Sequence, residues 1–450
     1  MMETAKSKKP RSRAQRVAMV STHGYVAAEP PLGNADTGGQ VVYVLELSKK
    51  MAQLGYEVDI WTRQFEDQPE IEAVAPKVRI LRVPCGGNKF IPKEYLYEYL
   101  PEWRQNALRF IKKNKIAYQF INSHYWDGGV AAQNLSEELN IPHIHTPHSL
   151  GIWKKFQMLQ DYPENAAHFE QKYNFKNRIH HELQVYHSCQ FVAATTPFQL
   201  DLFQKEYDVP KEQLVLLPAG YDDNRFYPVS SATRNAIRQH FDLEHPTVLC
   251  LGRMARNKGY DLLIRAFRQV VNRMPNVRLS LAAGGSDLNQ EEQAYMDEIK
   301  QIIHELELEQ YVTLRSYITE DELPDWYRAA TVFAMPSRYE PFGMTALEAM
   351  ACGTATVVTT EGGLWNATTF GRHALYANPF DTEEFGIALY QVLKYPELRA
   401  RMERMGAHKA RSLFTWTSIA QQLISVAEAR YSPSMNLLVE KPYEPWNLED

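Results

Sequence analysis

The chain alternates short apolar runs with amphipathic stretches, and nothing else in it constrains the fold as strongly. Apolar, strand-like runs fall at 17–21, 57–62, 78–83, 120–123, 143–146 and 191–194, then at 215–217, 247–251, 278–283, 312–314, 332–335 and 356–359. Between them, stretches such as 40–54 and 261–273 carry apolar residues at helical spacing. Strand and helix in alternation predict an α/β chain with parallel sheets. The series also restarts. After Leu217-Pro218-Ala219-Gly220-Tyr221-Asp222 a polar stretch runs to Glu244, and a new strand follows. Both halves open with a strand, a polar glycine-bearing loop and a long amphipathic helix. Two doubly wound, Rossmann-like domains facing each other across a cleft explain this better than one large sheet. Such domains bind ligands outside the carboxyl ends of their strands, so the cleft is the predicted site.

The expected division is a disordered basic tail over 1–15, a first domain over 16–219, a second over 220–413, and a segment 414–450 whose helix returns to the first domain. The hydrophobic fraction of 44% in 450 residues is ample for two cores and excludes collagenous, low-complexity and wholly disordered chains. Lysine plus arginine is 49 against 54 for aspartate plus glutamate, a net −5 that argues against a nucleic-acid partner. No apolar run approaches the roughly 18 residues of a membrane span, and the basic start lacks the apolar centre of a secretory signal. Cys85, Cys189, Cys250 and Cys352 are widely separated, with neither zinc spacing nor a disulfide framework, which predicts a reducing, cytoplasmic setting.

Three loops carry the chemistry. The first reads Gly33-Asn34-Ala35-Asp36-Thr37-Gly38-Gly39-Gln40 before a helix. Glycines there let an anion approach backbone N–H groups, although a plain tight turn fits as well. The loop lacks the lysine and hydroxyl residue of a P-loop and the three-glycine dinucleotide fingerprint, which argues against a nucleotidase or an oxidoreductase. The second reads Gly252-Arg253-Met254-Ala255-Arg256-Asn257-Lys258-Gly259. Arg253 and Lys258 suit a diphosphate, or are solvated surface charges. In the third, Glu340-Pro341-Phe342-Gly343-Met344-Thr345-Ala346-Leu347-Glu348, the turn forced by Pro341 and Gly343 starts a helix whose free N–H groups face the loop. Glu340 and Glu348 can flank the phosphates and accept hydrogen bonds from sugar diols; alone, Glu348 also fits a helical salt bridge. His124 and His148 each follow an apolar run that ends at the cleft, and no histidine pair has the H-x3-H spacing plus carboxylates of a zinc site, so no metal site is expected.

On these motifs the chain from about Arg16 to Arg430 resembles the retaining glycosyltransferases of the GT-B type, in the sucrose-phosphate synthase group of glycosyltransferase family 4. The motifs are Asp36-Thr37-Gly38-Gly39-Gln40, His124-Tyr125-Trp126-Asp127, His148-Ser149-Leu150-Gly151, Arg253 with Lys258, and Glu340 with Glu348. The stretches Ser21-Thr22-His23-Gly24 and Gly406-Ala407-His408-Lys409 with their flanks are similar to the mannosylfructose-phosphate synthases. The resemblance implies a cytoplasmic hexosyltransferase that passes mannose from GDP-mannose to fructose 6-phosphate, without metal or other cofactor. Its alternative within the group is a sucrose-phosphate synthase using UDP-glucose or ADP-glucose. A non-catalytic GT-B protein that binds a nucleotide sugar is a further alternative, and a downstream sugar phosphatase is an implied partner.

The resemblance also distributes roles. Arg253 and Lys258 would bind the donor diphosphate with backbone at Gly38, Gly39, Phe342, Gly343, Met344 and Thr345. Ile318 would lie at the base-binding turn, where Ser316 replaces the usual glycine. Glu348 would hold the ribose, Glu340 the sugar hydroxyls, and His148 the region of the anomeric centre. His148, Glu340, Arg253 and Lys258 would be the catalytic set. Gln40, Lys93, Tyr125, Ser149, Lys154 and Arg178 would surround the acceptor. Because donor and acceptor groups lie in different halves, the cleft is expected to narrow about hinges near Gly220 and Phe414-Thr415-Trp416.

Overall fold

The computed structural model describes residues 15–31, 36–284, 288–315 and 318–428. The first half forms an eight-stranded sheet from β1 (Arg16–Val20), β2 (Glu57–Gln64), β3 (Ile71–Ala75), β4 (Val78–Pro84), β5 (Ile121–His124), β6 (His143–Thr146), β7 (Phe191–Ala194) and β8 (Leu214–Leu216). Its order is β3-β4-β2-β1-β5-β6-β7-β8, parallel except where β3 runs against β4. The second half forms a six-stranded sheet from β9 (Thr247–Gly252), β10 (Arg278–Ala283), β11 (Val312–Arg315), β12 (Val332–Met335), β13 (Ala355–Thr359) and β14 (Leu375–Ala377), in the order β11-β10-β9-β12-β13-β14. The central strands read as unbroken apolar runs because helices cover both faces; Val17, Ala18, Met19 and Val20 of β1 are all fully buried.

Two strands escaped the sequence pattern. β3 is an antiparallel edge strand with exposed and half-buried residues, and Glu72 interrupts its apolar run. β14 has only three residues, too few for a period. Of the tail expected to be disordered, residues 1–14 lie outside the described residues, and Gln15 accepts a backbone hydrogen bond from Glu57 that extends the β1–β2 pairing.

The chain passes from the first sheet to the second through Leu217–Tyr221 and returns through Phe414–Trp416, and the two crossings lie side by side. The Tyr221 N–H donates to the Phe414 carbonyl at 2.9 Å, and the Trp416 N–H to the Tyr221 carbonyl at 3.4 Å. The last helix, Trp416–Ala427, then packs on the helix Gly39–Gln53, with Trp416 edge-on to Tyr43 at 4.9 Å between ring centres. One apolar cluster runs through the junction, joining Val44 and Leu217 of the first half to Phe333 and Leu347 of the second and to Ile419 and Leu423 of the last helix.

The fit at the crossing leaves no room at Gly220. A Cβ there would sit 2.6 Å from the Trp416 indole and 3.0 Å from its backbone nitrogen. Gly220→Ala is therefore expected to lower stability by about 1–3 kcal/mol, the usual cost of overpacking. The measurement is the thermal unfolding midpoint, and an unchanged midpoint would contradict the packing described.

Candidate active site

The loops after β9 and β12 build the donor side of the cleft. Gly343, with φ of 106°, starts the helix Met344–Ala351 in a conformation that favours glycine, and no side chain caps it. The first N–H groups of this helix thus face the cleft without an intrahelical acceptor. Opposite stands the start of the helix Gly39–Gln53, also without a side-chain cap. A Cβ on Gly39 would lie 3.6 Å from the Met344 sulfur, so the two helix N-termini nearly meet across the cleft. Both present partial positive charge to whatever lies between them.

Arg253 is exposed and takes no acceptor among the described residues. Lys258 donates to Glu340 at 2.6 Å, and Ser337 donates to the same carboxylate oxygen at 3.3 Å. Glu340 is fixed by its backbone as well: its N–H bonds the Glu361 carbonyl at 3.0 Å and its carbonyl accepts from Gly363 at 3.1 Å. Among the described residues, Glu348 makes no salt bridge. Its one protein partner among the described residues is the Tyr327 hydroxyl, which donates at 2.8 Å. Burial pushes its carboxyl up to about 7, against the opposing pull of the Tyr327 hydrogen bond. Ile318 packs in the same apolar cluster as Met344, while Ser316 and Tyr317 of the base-binding turn lie outside the described residues. Phe342 turns inward against Phe414, 5.8 Å between ring centres, so only its backbone can face a ligand.

On the acceptor side, Arg178 is buried and fully engaged. It donates to Glu182 at 2.7 Å, to the Tyr125 hydroxyl at 2.9 Å and to the Ser149 carbonyl at 2.8 Å. Lys93 pairs with Asp36 and lies 3.3 Å from Glu94. Burial opposes its charge, yet Tyr125, Asp36 and Glu94 together hold its pKa above the ordinary lysine value. Lys154 has no carboxylate partner among the described residues; its ammonium lies 4.0 Å from the centre of the Tyr173 ring. Burial, with the Arg178 and Lys93 charges beside it, pushes its pKa well below the ordinary value. Gln40 donates from its side-chain amide to the Ser21 hydroxyl at 3.0 Å.

His148 adopts φ of 60° at the end of its strand and meets His124, Nε2 to Nδ1, at 3.0 Å. Burial first, then the His23 charge, lowers its pKa to about 3, so it is a neutral imidazole at physiological pH. His23 behaves oppositely. Burial works against its charge, but Asp127 at 2.8 Å outweighs this and holds its pKa above the ordinary value. Thr22 donates to the same Asp127 carboxylate at 2.6 Å.

The structure thus brings Lys93, Tyr125, Ser149, Lys154 and Arg178 to one wall, and Lys258, Glu340 and Met344 to the other. Sequence reasoning gave no role to His23, Asp36, Tyr327 or Tyr339. The first two lie within quoted stretches, but their partners Asp127 and Lys93 are far away in sequence. Tyr339 adjoins Glu340, and only the fold shows that its hydroxyl lies 2.9 Å from Ser149 of the other domain. Trp153 packs on Tyr339 at 4.7 Å between ring centres, and Arg338 reaches Asp161 at 3.2 Å. On this flank aromatic, hydroxyl and ionic contacts join the two halves.

Two family models match in succession, Glycosyltransferase Family 4 over residues 37–225 and Glycosyl transferases group 1 over residues 233–409. A mannosylfructose-phosphate synthase of Agrobacterium fabrum is 58% identical over 439 residues, 97% of this chain and 96% of that protein. The chain is a GT-B glycosyltransferase. Within this family it is a hexosyltransferase, and its relatives span its whole architecture. A D-inositol 3-phosphate glycosyltransferase of Corynebacterium aurimucosum is 31% identical over 94% of this chain and 97% of that protein. The solved sucrose-phosphate synthase of Thermosynechococcus elongatus superposes with a TM-score of 0.79 at 30% identity, covering 92% of this chain and 99% of that one. The Anabaena HepE structure with UDP and glucose shares the fold, with a TM-score of 0.68 at 19% identity, over 92% of this chain and 100% of that one.

If Lys258 neutralises charge that grows as a diphosphate leaves, Lys258→Ala should lower kcat roughly a hundredfold to a thousandfold, and Arg253→Ala similarly. Both side chains are at least partly exposed, so circular dichroism should show both variants folded. Near-normal turnover in folded Lys258→Ala would remove the diphosphate from this position.

Proposed function

We propose that this glycosyltransferase passes mannose from GDP-mannose to fructose 6-phosphate with retention of anomeric configuration, giving mannosylfructose phosphate and GDP. The observation that carries the acceptor is the crowding of Lys93, Lys154 and Arg178 on one wall, with Lys154 lacking any carboxylate partner among the described residues. Cations held this close repel one another, and a sugar phosphate relieves the repulsion while a neutral sugar does not. The 58% identity to a mannosylfructose-phosphate synthase supports mannose and fructose phosphate as the pair.

In this reading the bond from the anomeric carbon to the diphosphate oxygen breaks as an acceptor hydroxyl attacks from the same face. The departing phosphate oxygen takes the hydroxyl proton. Lys258, Arg253 and the Met344 helix end stabilise the leaving group, which supplies by protein charge what a metal supplies elsewhere. Glu340, pinned beside Lys258, accepts from the sugar hydroxyls, and neutral His148 faces the reacting centre. The acceptor phosphate stays on the product, so a sugar phosphatase is the expected downstream partner.

The test is nucleoside diphosphate release from GDP-mannose, UDP-glucose and ADP-glucose with fructose 6-phosphate. GDP-mannose should be the best donor; preference for a glucose donor would move the assignment to sucrose-phosphate synthesis, which the Thermosynechococcus similarity supports. Fructose 6-phosphate should far outrun free fructose, and equal rates would reject the phosphate pocket. Activity should survive EDTA with modest loss, whereas abolition reversed by one divalent ion would overturn the charge assignment.

The lowered pKa of Lys154 adds a pH-linked expectation. Phosphate beside Lys154 raises that pKa again, so sugar phosphate binding at mildly alkaline pH should take up protons. Calorimetry in buffers of different ionisation enthalpy measures the uptake, and Lys154→Met should abolish it. Uptake that persists in Lys154→Met would assign the titration to another group.

A further inference from the structure

We infer that Tyr327 is a positioning residue of the donor site: its hydroxyl holds one oxygen of Glu348 and turns the carboxylate toward a nucleotide's ribose diol. The inference rests on the reading of Glu348 as the ribose-binding group and adds to it how that group is aimed.

Tyr327 lies on the short helix Leu323–Ala329 and is fully buried. Its ring packs edge-on against Phe333 at 5.5 Å and Phe226 at 5.9 Å. Its carbonyl accepts from the Thr354 hydroxyl at 2.6 Å, just past the end of the helix that bears Glu348. The ring therefore has one place to stand, and its hydroxyl reaches Glu348 Oε2 at 2.8 Å. A glutamate on the outside of a helix turn normally samples several rotamers. Here one oxygen is anchored and the other is left for a ligand, so a diol meets an acceptor already oriented.

The groups around this carboxylate are few. Tyr327 faces it from its own helix, Arg225 from the segment after the crossing, Glu320 from the turn before the Tyr327 helix, and Cys352 lies one turn beyond Glu348. Arg225 and Glu320 pair with each other at 3.2 Å, so their effects on Glu348 largely cancel. The phenol is left as the group that favours the ionised carboxylate, which accepts from the ribose hydroxyls more strongly than the protonated form.

The test is GDP binding by calorimetry from pH 6 to 9, alongside the 2′-deoxy nucleotide, in the full chain and in Tyr327→Phe and Glu348→Gln. In the unaltered protein GDP affinity should fall as pH drops through about 7, where Glu348 takes up its proton. Tyr327→Phe keeps the ring and its packing, so it should fold, with a thermal midpoint near that of the parent. Removing the hydrogen bond raises the carboxyl pKa further, so the fall should move to higher pH. At pH 7.5 GDP should bind about tenfold more weakly, with affinity recovering by pH 9. In turnover assays the donor KM should rise while kcat at saturating donor stays close to the parent value. Glu348→Gln and the 2′-deoxy nucleotide should give weak binding without this pH dependence. A Tyr327→Phe profile superimposed on the parent's, or weakened equally at every pH, would overturn the positioning role and leave Glu348 as the ribose group. Parent binding that ignores both pH and the 2′-hydroxyl would overturn the two readings together.

Discussion

The double crossing of the chain is the constraint on which the rest of the structure depends. Two backbone hydrogen bonds tie Tyr221 to Phe414 and Trp416, and the Trp416 indole fills the space beside Gly220. This junction sets one sheet against the other with the carboxyl ends of both facing the same cleft. A parallel sheet sends every strand into a loop at that end, so all the polar loops of both halves converge by topology. The apolar cluster through the crossing makes the arrangement continuous with the cores.

What converges is an uneven distribution of charge. On the donor wall, Lys258 is paired with Glu340, Arg253 takes no acceptor among the described residues, and Glu348 is pushed toward neutrality by burial. On the acceptor wall, the carboxylates Glu182, Asp36 and Glu94 are engaged by two of the three cations. Arg178 is satisfied by Glu182 and Lys93 by Asp36, while Lys154 is left to an aromatic ring. Burying a cation without a partner costs stability, and a site built to receive a phosphate is one place where that cost is recovered on binding. His148 and His23 are tuned apart by burial and charge in the same way. Burial and the His23 charge lower the His148 pKa to about 3, while Asp127 holds the His23 pKa above the ordinary histidine value.

The alternation of apolar runs and helical stretches was enough to read two parallel α/β domains, because burial on both faces removes polar residues from the central strands. β3 and β14 were not readable, since a half-exposed edge strand interrupted by Glu72 and a three-residue strand carry no such signature. Local loop chemistry was readable too: Pro341 and Gly343 mark a helix start, and Gly38 with Gly39 mark another. The contacts of Tyr339 with Ser149 and of His23 with Asp127 were not, as their partners stand 190 and 104 positions apart.

The sequence by itself determined the fold class, the site of the restart at Gly220 and the residue types available at each strand end, because these follow from local periodicity and turn chemistry. Only the tertiary structure decided which of those residues face one another. It paired Lys258 with Glu340, left Lys154 unpaired, joined Ser149 to Tyr339 across the cleft and set Tyr327 against Glu348. Burial and charge proximity are properties of the assembled chain, so protonation states and the orientation of the carboxylates could arise only there.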